Sequence, residues 1–246
     1  MDTPKIASPQ EWEAARRELL VKEKELTRAR DALAAERRRM PWLPIEKDYA
    51  FDTSEGSKTL PELFDGRSQL LAYNIMFGPD YSLGACPGCT SLGDEFDGSV
   101  IHLAHRDTTF ICFSRAPIDR LNAYKQRMGW EFPYVSTYGS EFAFDFGLAM
   151  TPEQQRSIPP IAEMLDNPPP FLVDWSEQIG ATVAEGIQEA PGFIAFAREN
   201  GTVFHTYTVT APDPFVAPYH SFLLRRTPLG DPTPEGFALR KDEYPA

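Results

Sequence analysis

The chain has 246 residues, 42% of them hydrophobic, which suffices for one α/β core with additions. No run of about 18 apolar residues offers a membrane span. The formal net charge of −12 is uneven: residues 1–40 hold 10 Lys/Arg and 8 Asp/Glu, a net of +2, and the remainder holds 14 and 28, a net of −14. A globular part this acidic is a poor nucleic-acid binder.

Met1-Asp2-Thr3-Pro4-Lys5 lacks the basic-then-apolar plan of a signal peptide, so a cytoplasmic location is expected. Ser8-Pro9-Gln10-Glu11 is a capping box with proline at the first helical position. No helix breaker follows until Pro41, and the stretch between is rich in good helix formers. The spacing predicts a long N-terminal helix, an extension of residues 1–40. Trp12, Ala15, Leu19, Leu26, Ala29 and Leu33 form its apolar stripe, interrupted by Lys22. Three settings fit so thin a stripe: contact with its own domain or a neighbouring copy, a homodimer seam, or a solvated helix.

Residues 41–58 read as extended, and Thr59–Phe64 as a helical turn ended by Asp65-Gly66. Ser68–Phe77 is the first core strand. A helix from Cys86 to about Ala104 follows, with a break expected near Gly98. Thr108–Ser114 is a nearly continuous apolar strand, the pattern of a parallel strand buried on both faces. Ile118–Met128 is an amphipathic helix with Leu121, Tyr124 and Met128 on one side, stopped by Gly129. Strand, helix, strand, helix predicts a right-handed parallel crossover. Pro152, Pro159, Pro160, Pro168, Pro169 and Pro170 mark 151–170 as a Pro-rich surface excursion. Phe193–Ala197 and Val203–Val209 alternate around Glu199-Asn200-Gly201 as a β-hairpin. Tyr219–Arg226 is a last short helix, and 228–246 an irregular tail.

The chemistry gathers at Cys86-Pro87-Gly88-Cys89, directly after the apolar run Leu70–Phe77. Three cysteines in such a chain are not a disulfide framework, so this pair reads as redox or metal. A helix N-terminus aims unpaired N–H groups and about half a positive charge at the first cysteine. That favours its thiolate. Pro87 suits the first helical position. Cys89, one turn on, is close enough to close an internal disulfide.

The rival reading is zinc, since Cys86-x2-Cys89-x12-His102-x2-His105 approaches a Cys2His2 finger. The last spacing is short, however, Gly93 and Ser99 stand at the finger's apolar positions, and the body is acidic. No metal and no cofactor is expected. His102 and His105 are assigned to packing or surface. Cys112 reads as an inert core thiol. Asp97 fits either a charge near the dithiol or a helix-terminus role.

The order of elements resembles the thioredoxin-like superfamily. Ser114-Arg115-Ala116-Pro117, a helix, then Gly129-Trp130-Glu131-Phe132-Pro133-Tyr134 looks like its peroxiredoxin branch. There Pro79 holds the place seven before the first cysteine, but Leu83 stands three before it where that branch has Thr or Ser, and Ser82 is off by one. More specific are Phe77-Gly78-Pro79-Asp80, Cys86-Pro87-Gly88-Cys89, Phe96-Asp97-Gly98, Arg127-Met128-Gly129-Trp130, Phe144-Asp145-Phe146-Gly147 and Val203-Phe204-His205-Thr206-Tyr207. By these the chain resembles, over most of its length, a bacterial thioredoxin-like family catalogued as domain of unknown function eight-nine-nine. Residues 151–170 and the segment after His220 depart from the pattern.

The resemblance implies a thioredoxin-like α/β fold over 41–227, a central mixed sheet flanked by helices. In that fold a cis-proline opens the third core strand and faces the cysteine pair, and Pro191 fits the position. It implies a thiol-disulfide oxidoreductase with Cys86 as nucleophile and Cys89 resolving. The alternatives are a thiol peroxidase and a non-catalytic binding module. Trp130, His205 and Tyr207 are the candidate substrate-binding side chains. The expected partners are a thiol or disulfide substrate or a protein reductant, and a second copy through the N-terminal helix.

Overall fold

The computed structural model describes residues 5–210, 218–228 and 238–245, so the middle of the C-terminal tail lies outside the described residues. Two compact units are seen, residues 1–41 and 42–246. The first is helix α1 (Pro9–Arg37), opened by the complete Ser8/Glu11 capping box. It buries none of its side chains fully; Trp12, Leu19, Leu26 and Leu33 stand exposed every seven residues.

The second unit is built on one eight-stranded sheet in the order β1-β8-β7-β4-β5-β6-β2-β3. In chain order the strands are β1 (Leu43–Pro44), β2 (Ala50–Thr53), β3 (Gly56–Thr59), β4 (Gln69–Asn74), β5 (Thr108–Ser114), β6 (Tyr134–Ser136), β7 (Gly192–Glu199) and β8 (Thr202–Thr210). β4 is central, parallel to β5 and antiparallel to β7, and β7 pairs antiparallel with β8. The order β8-β7-β4-β5 is the thioredoxin-like core. Its β7–β8 turn needs Asn200 and Gly201 at positive φ, as a tight hairpin requires.

Between the strands lie α2 (Pro87–Gly93), α3 (Asp97–Ala104), α4 (Ile118–Met128), α5 (Phe142–Asp145), α6 (Pro152–Ser157), α7 (Pro159–Asp166), α8 (Pro170–Ile179) and α9 (Val183–Gly186), with α10 (Tyr219–Leu224) after β8. The single helix expected from Cys86 to Ala104 is two, and the interruption is at 94–96 rather than Gly98. Asp97 accepts from the backbone N–H groups of Glu131 and Phe132 at 2.7–3.1 Å, so it joins the start of α3 to the chain before β6.

The proline-rich stretch keeps to the surface but is helical. Prolines open α6, α7 and α8, where a missing N–H costs nothing. Of residues 151–170 only Gln155 is buried and α7 buries none of its side chains, so these short helices lie at the surface as expected; burial resumes at Leu172 in α8.

The sheet separates two apolar layers because strand side chains alternate between faces. On one side Leu70, Ala72, Phe113, Phe142 and Phe196 pack with Phe51 and Phe64. On the other Tyr73, Cys112 and Tyr134 pack with Cys86, Cys89, Phe96, Tyr124 and Trp130. All three cysteines therefore share one layer, above the face covered by α2, α3 and α4.

Candidate dithiol site

The site forms where β4 hands over to α2, at the carboxyl end of the central strand, a usual position for sites in α/β sheets. The connecting loop is tied at both ends. The Cys86 N–H donates to the Met76 carbonyl at 2.8 Å, and the Ala116 N–H to the Phe77 carbonyl at 2.8 Å. Gly84, at φ 132°, has no room for a side chain: an added Cβ would lie 2.7 Å from the Tyr124 ring. Cys86 caps α2 with Pro87 in the first turn, so the orphan N–H groups of the helix gather about its sulfur.

Cys86 Sγ receives the Trp175 indole N–H, with Nε1 at 3.3 Å. Four donors act on it: the Cys89 thiol foremost, then the backbone N–H of Cys89, the Trp175 indole and the backbone N–H of Gly88. Together they outweigh burial and lower its pKa to about 6. Cys89 is its opposite. The neighbouring Cys86 sulfur and burial push its thiol well above the ordinary range, although the Tyr73 hydroxyl donates to its sulfur at 3.6 Å. All three cysteines are free thiols, and Cys112 lies fully inside β5 with its pKa raised by burial.

Behind α2, Thr90 and the Tyr124 hydroxyl are 2.7 Å apart, and Arg240 Nε donates to the same hydroxyl at 3.1 Å. Arg240, only 3% exposed, also donates to the carbonyl of Ala85, the residue before Cys86, at 2.8 Å, and to that of Gln178 at 3.0 Å. The tail, read from sequence as irregular, thus inserts a guanidinium beneath the cysteine loop.

Beyond the loop lies a buried charge pair. Arg115 donates to Glu189 at 2.7 Å, and burial raises the Glu189 carboxyl to about 7. Among the described residues its other oxygen has no hydrogen-bond partner.

The sequence-predicted residues divide by sheet face. Trp130 shares the layer of the cysteines but is buried, its indole N–H held by Asp94 at 2.7 Å and its ring against Gly93. It is a packed wall behind α2. Pro191 directly precedes β7, whose Gly192 pairs with Asn74 at the end of β4. Tyr207 pairs with Ala195, on the side of Phe193 and Val209, both packed against the cysteine layer. His205 is not brought to the cysteines. The β7–β8 register slips between Ala195 and Phe196, leaving Thr206 as an extra residue, and such a bulge resets which face follows. His205 therefore stacks on Phe146 and Phe196 in the opposite layer, its Nε2 2.7 Å from the Thr208 hydroxyl.

Trp175, Tyr73 and Arg240 were not singled out in the sequence. Tyr73 was readable in principle: it lies on the β4 face that α2 covers. Trp175 and Arg240 carry no local signal, being 89 and 155 residues from their partners in the loop.

Fold and site define a protein of thioredoxin-like fold, with two neighbouring cysteines where the central strand passes into a helix. The chain belongs to the family described as bacterial protein of unknown function (DUF899), which it matches over residues 1–244. No curated protein matches it. Among solved structures it is similar to a peroxiredoxin Q mutant of Xylella fastidiosa, at 15% identity over 66% of this chain and 77% of that one, with TM-score 0.43. A peroxiredoxin Q mutant of Xanthomonas campestris matches at 15% identity over 65% and 79%, with TM-score 0.43. A hypothetical protein of Sinorhizobium meliloti matches at 15% identity over 69% and 70%, with TM-score 0.36. Among the described residues no helix is long and apolar enough to cross a membrane.

Proposed function

We propose that the protein is a thiol-disulfide oxidoreductase in which Cys86 attacks and Cys89 resolves. The observation that carries this is the opposed setting of the two thiols. Cys86 sits at a helix start under converging donors, and Cys89, one turn on, is buried and holds its proton. A nucleophile needs its thiolate, and a resolving thiol needs to be near but protonated until the mixed disulfide forms. The Cys86 thiolate attacks one sulfur of the substrate disulfide and releases a thiolate. Cys89 then loses its proton and attacks the Cys86 sulfur, closing the internal disulfide and releasing the second thiolate. A separate thiol or dithiol reductant returns the pair to its starting state.

Pro191, at the end of β7 nearest the strand terminus of β4, is assigned to present the backbone against which the substrate lies. Exchange is favoured over peroxide reduction by the local hydroxyls. Leu83 stands three residues before Cys86, and the Ser82 hydroxyl donates to the Gly180 carbonyl at 2.7 Å. Neither offers a free hydroxyl to orient a peroxide.

The test is oxidation of the fully reduced protein by a small disulfide, followed by alkylation and mass mapping. A Cys86–Cys89 disulfide, and a mixed disulfide trapped on Cys86 in Cys89→Ser, are expected. A mixed disulfide on Cys89 instead would reverse the roles. A much faster reaction with hydrogen peroxide than with any disulfide would make the protein a peroxidase.

A further inference from the structure

The residue that most restricts Cys86 comes from the proline-punctuated segment. Trp175 lies on α8 and places its indole N–H 3.3 Å from the sulfur. Cys86 is 8% exposed beneath this cover. The ring is held on several sides. A Cβ at Gly186 would stand 2.5 Å from it, so the α9 backbone is in direct contact with the indole. Tyr81 meets it edge-on, with ring centroids 6.3 Å apart, and Tyr81 is itself fixed by its hydroxyl on the Gly186 carbonyl at 2.6 Å.

The helix is pinned as firmly as the ring. The Leu83 N–H donates to the Ile179 carbonyl at 3.1 Å and the Ser82 N–H to that of Gly180 at 3.2 Å. A Cβ at Gly180 would come within 2.3 Å of the Ser82 hydroxyl oxygen, so α8 ends in direct contact with the cysteine loop. Arg240 closes the other side through Gln178. The cover is thus part of the packed structure.

We infer that Trp175 is a thiolate-holding and size-selecting residue of the Cys86 site, admitting low-molecular-mass disulfides and excluding disulfides embedded in folded proteins. This rests on the proposed disulfide exchange. Cys86 must attack in line with the disulfide it breaks, and the indole, its N–H 3.3 Å from a sulfur only 8% exposed, flanks that sulfur on one side. A compact disulfide passes beside the ring, whereas a protein disulfide brings flanking backbone that meets α8 first. The indole N–H meanwhile favours the thiolate, since a hydrogen bond to the charged form lowers a pKa. In the reaction one Cys86–S bond forms as the substrate S–S bond breaks. Cys89 then completes the internal disulfide, so one small disulfide becomes two thiols and the protein loses two hydrogens.

Three full-length reduced proteins test this: wild type, W175F and W175A. Each is mixed in single turnover with hydroxyethyl disulfide and with insulin, and each is titrated by its far-ultraviolet thiolate absorbance. Wild type is expected to react about 100-fold faster with the small disulfide, the difference being one of access. W175F keeps an aromatic wall and loses the N–H: its size ratio holds while its thiolate midpoint rises by about one pH unit. W175A narrows the ratio by about tenfold or more as access opens. Equal wild-type rates with both probes would overturn the size selection, and an unmoved midpoint in W175F would overturn the thiolate role. If wild type closes no Cys86–Cys89 disulfide with either probe, disulfide exchange itself fails and size selection with it. The titration still decides the role of the Trp175 N–H by itself. Because W175F keeps a ring in place, that result does not depend on W175A folding.

Discussion

Cys86 and Cys112 are both buried thiols in the same apolar layer, yet their settings drive them in opposite directions. Cys112 lies in the middle of β5, where burial disfavours its thiolate. Cys86 lies at the start of α2, where a thiol, two backbone N–H groups and an indole converge. The difference teaches that burial alone does not decide a cysteine's chemistry. What decides it is whether the chain delivers donors to the sulfur, and a helix start does so where a strand centre has already spent its N–H groups on the ladder.

The sharpest test of this contrast removes one sulfur at a time. Cys86→Ser should abolish the fast reaction with iodoacetamide near neutral pH, a loss of at least about 100-fold, because only the depressed thiol is a thiolate there. Cys112→Ala should leave that rate unchanged and cost about 1 kcal/mol of stability for the small void. Rapid labelling of Cys112 in the folded protein would break the comparison.

Arg240 tests what supports the Cys86 side. Its removal leaves the buried carbonyls of Ala85 and Gln178 and the Tyr124 hydroxyl without their donor. Arg240→Ala should therefore destabilise the fold by about 3 kcal/mol in urea unfolding. Hydrogen exchange should rise first around residues 82–92 while β5 keeps its protection. Equal loosening of both regions would mean that Arg240 stabilises the whole unit rather than the cysteine loop.

The pH profile sharpens the contrast further. With the Cys86 thiol at about 6, its alkylation rate should rise with pH up to that value and level off above it. Labelling of Cys89 and Cys112, both raised, should appear only at strongly alkaline pH or on unfolding. A Cys86 profile still climbing at pH 8 would remove the donor argument.

A smaller effect is expected at Glu189, which faces Arg115, Asp80, Tyr81 and the Asn74 carboxamide. Burial raises its folded pKa to about 7, above the unfolded value of 4.5. The folded state then holds a proton that the unfolded state has lost. The stability this contributes is present below pH 4.5 and is lost as pH rises through about 7. Glu189→Gln should flatten the fall in unfolding free energy across that window. An unchanged slope would show that Arg115 keeps the carboxylate charged. Smallest of all, Tyr73→Phe removes the donor to Cys89 and should alter internal disulfide closure only a few-fold, about 1 kcal/mol for one hydrogen bond.

Much of the fold was legible because local rules and tertiary structure agree. The apolar run before Cys86, the continuous strand Thr108–Ser114 and the amphipathic helix ended by Gly129 each fall where periodicity puts them. So does the hairpin around Asn200-Gly201, since only those two positions tolerate its turn. The prolines of 151–170 were legible as punctuation but not as helix starts. A proline forbids a donor, and that restriction fits a loop and the first helical turn equally well.

The amino-acid sequence by itself determined the strand-to-helix passage that places Cys86 at a helix start, because residues adjacent in the chain set cap, turn and register. Only the tertiary structure decided what surrounds the sulfur. Trp175 and Arg240 reach the cysteine loop from distant segments through packing that no local pattern encodes. The side of the sheet on which His205 stands was likewise settled by one extra residue in β8, since a period-two pattern cannot reveal where a ladder slips.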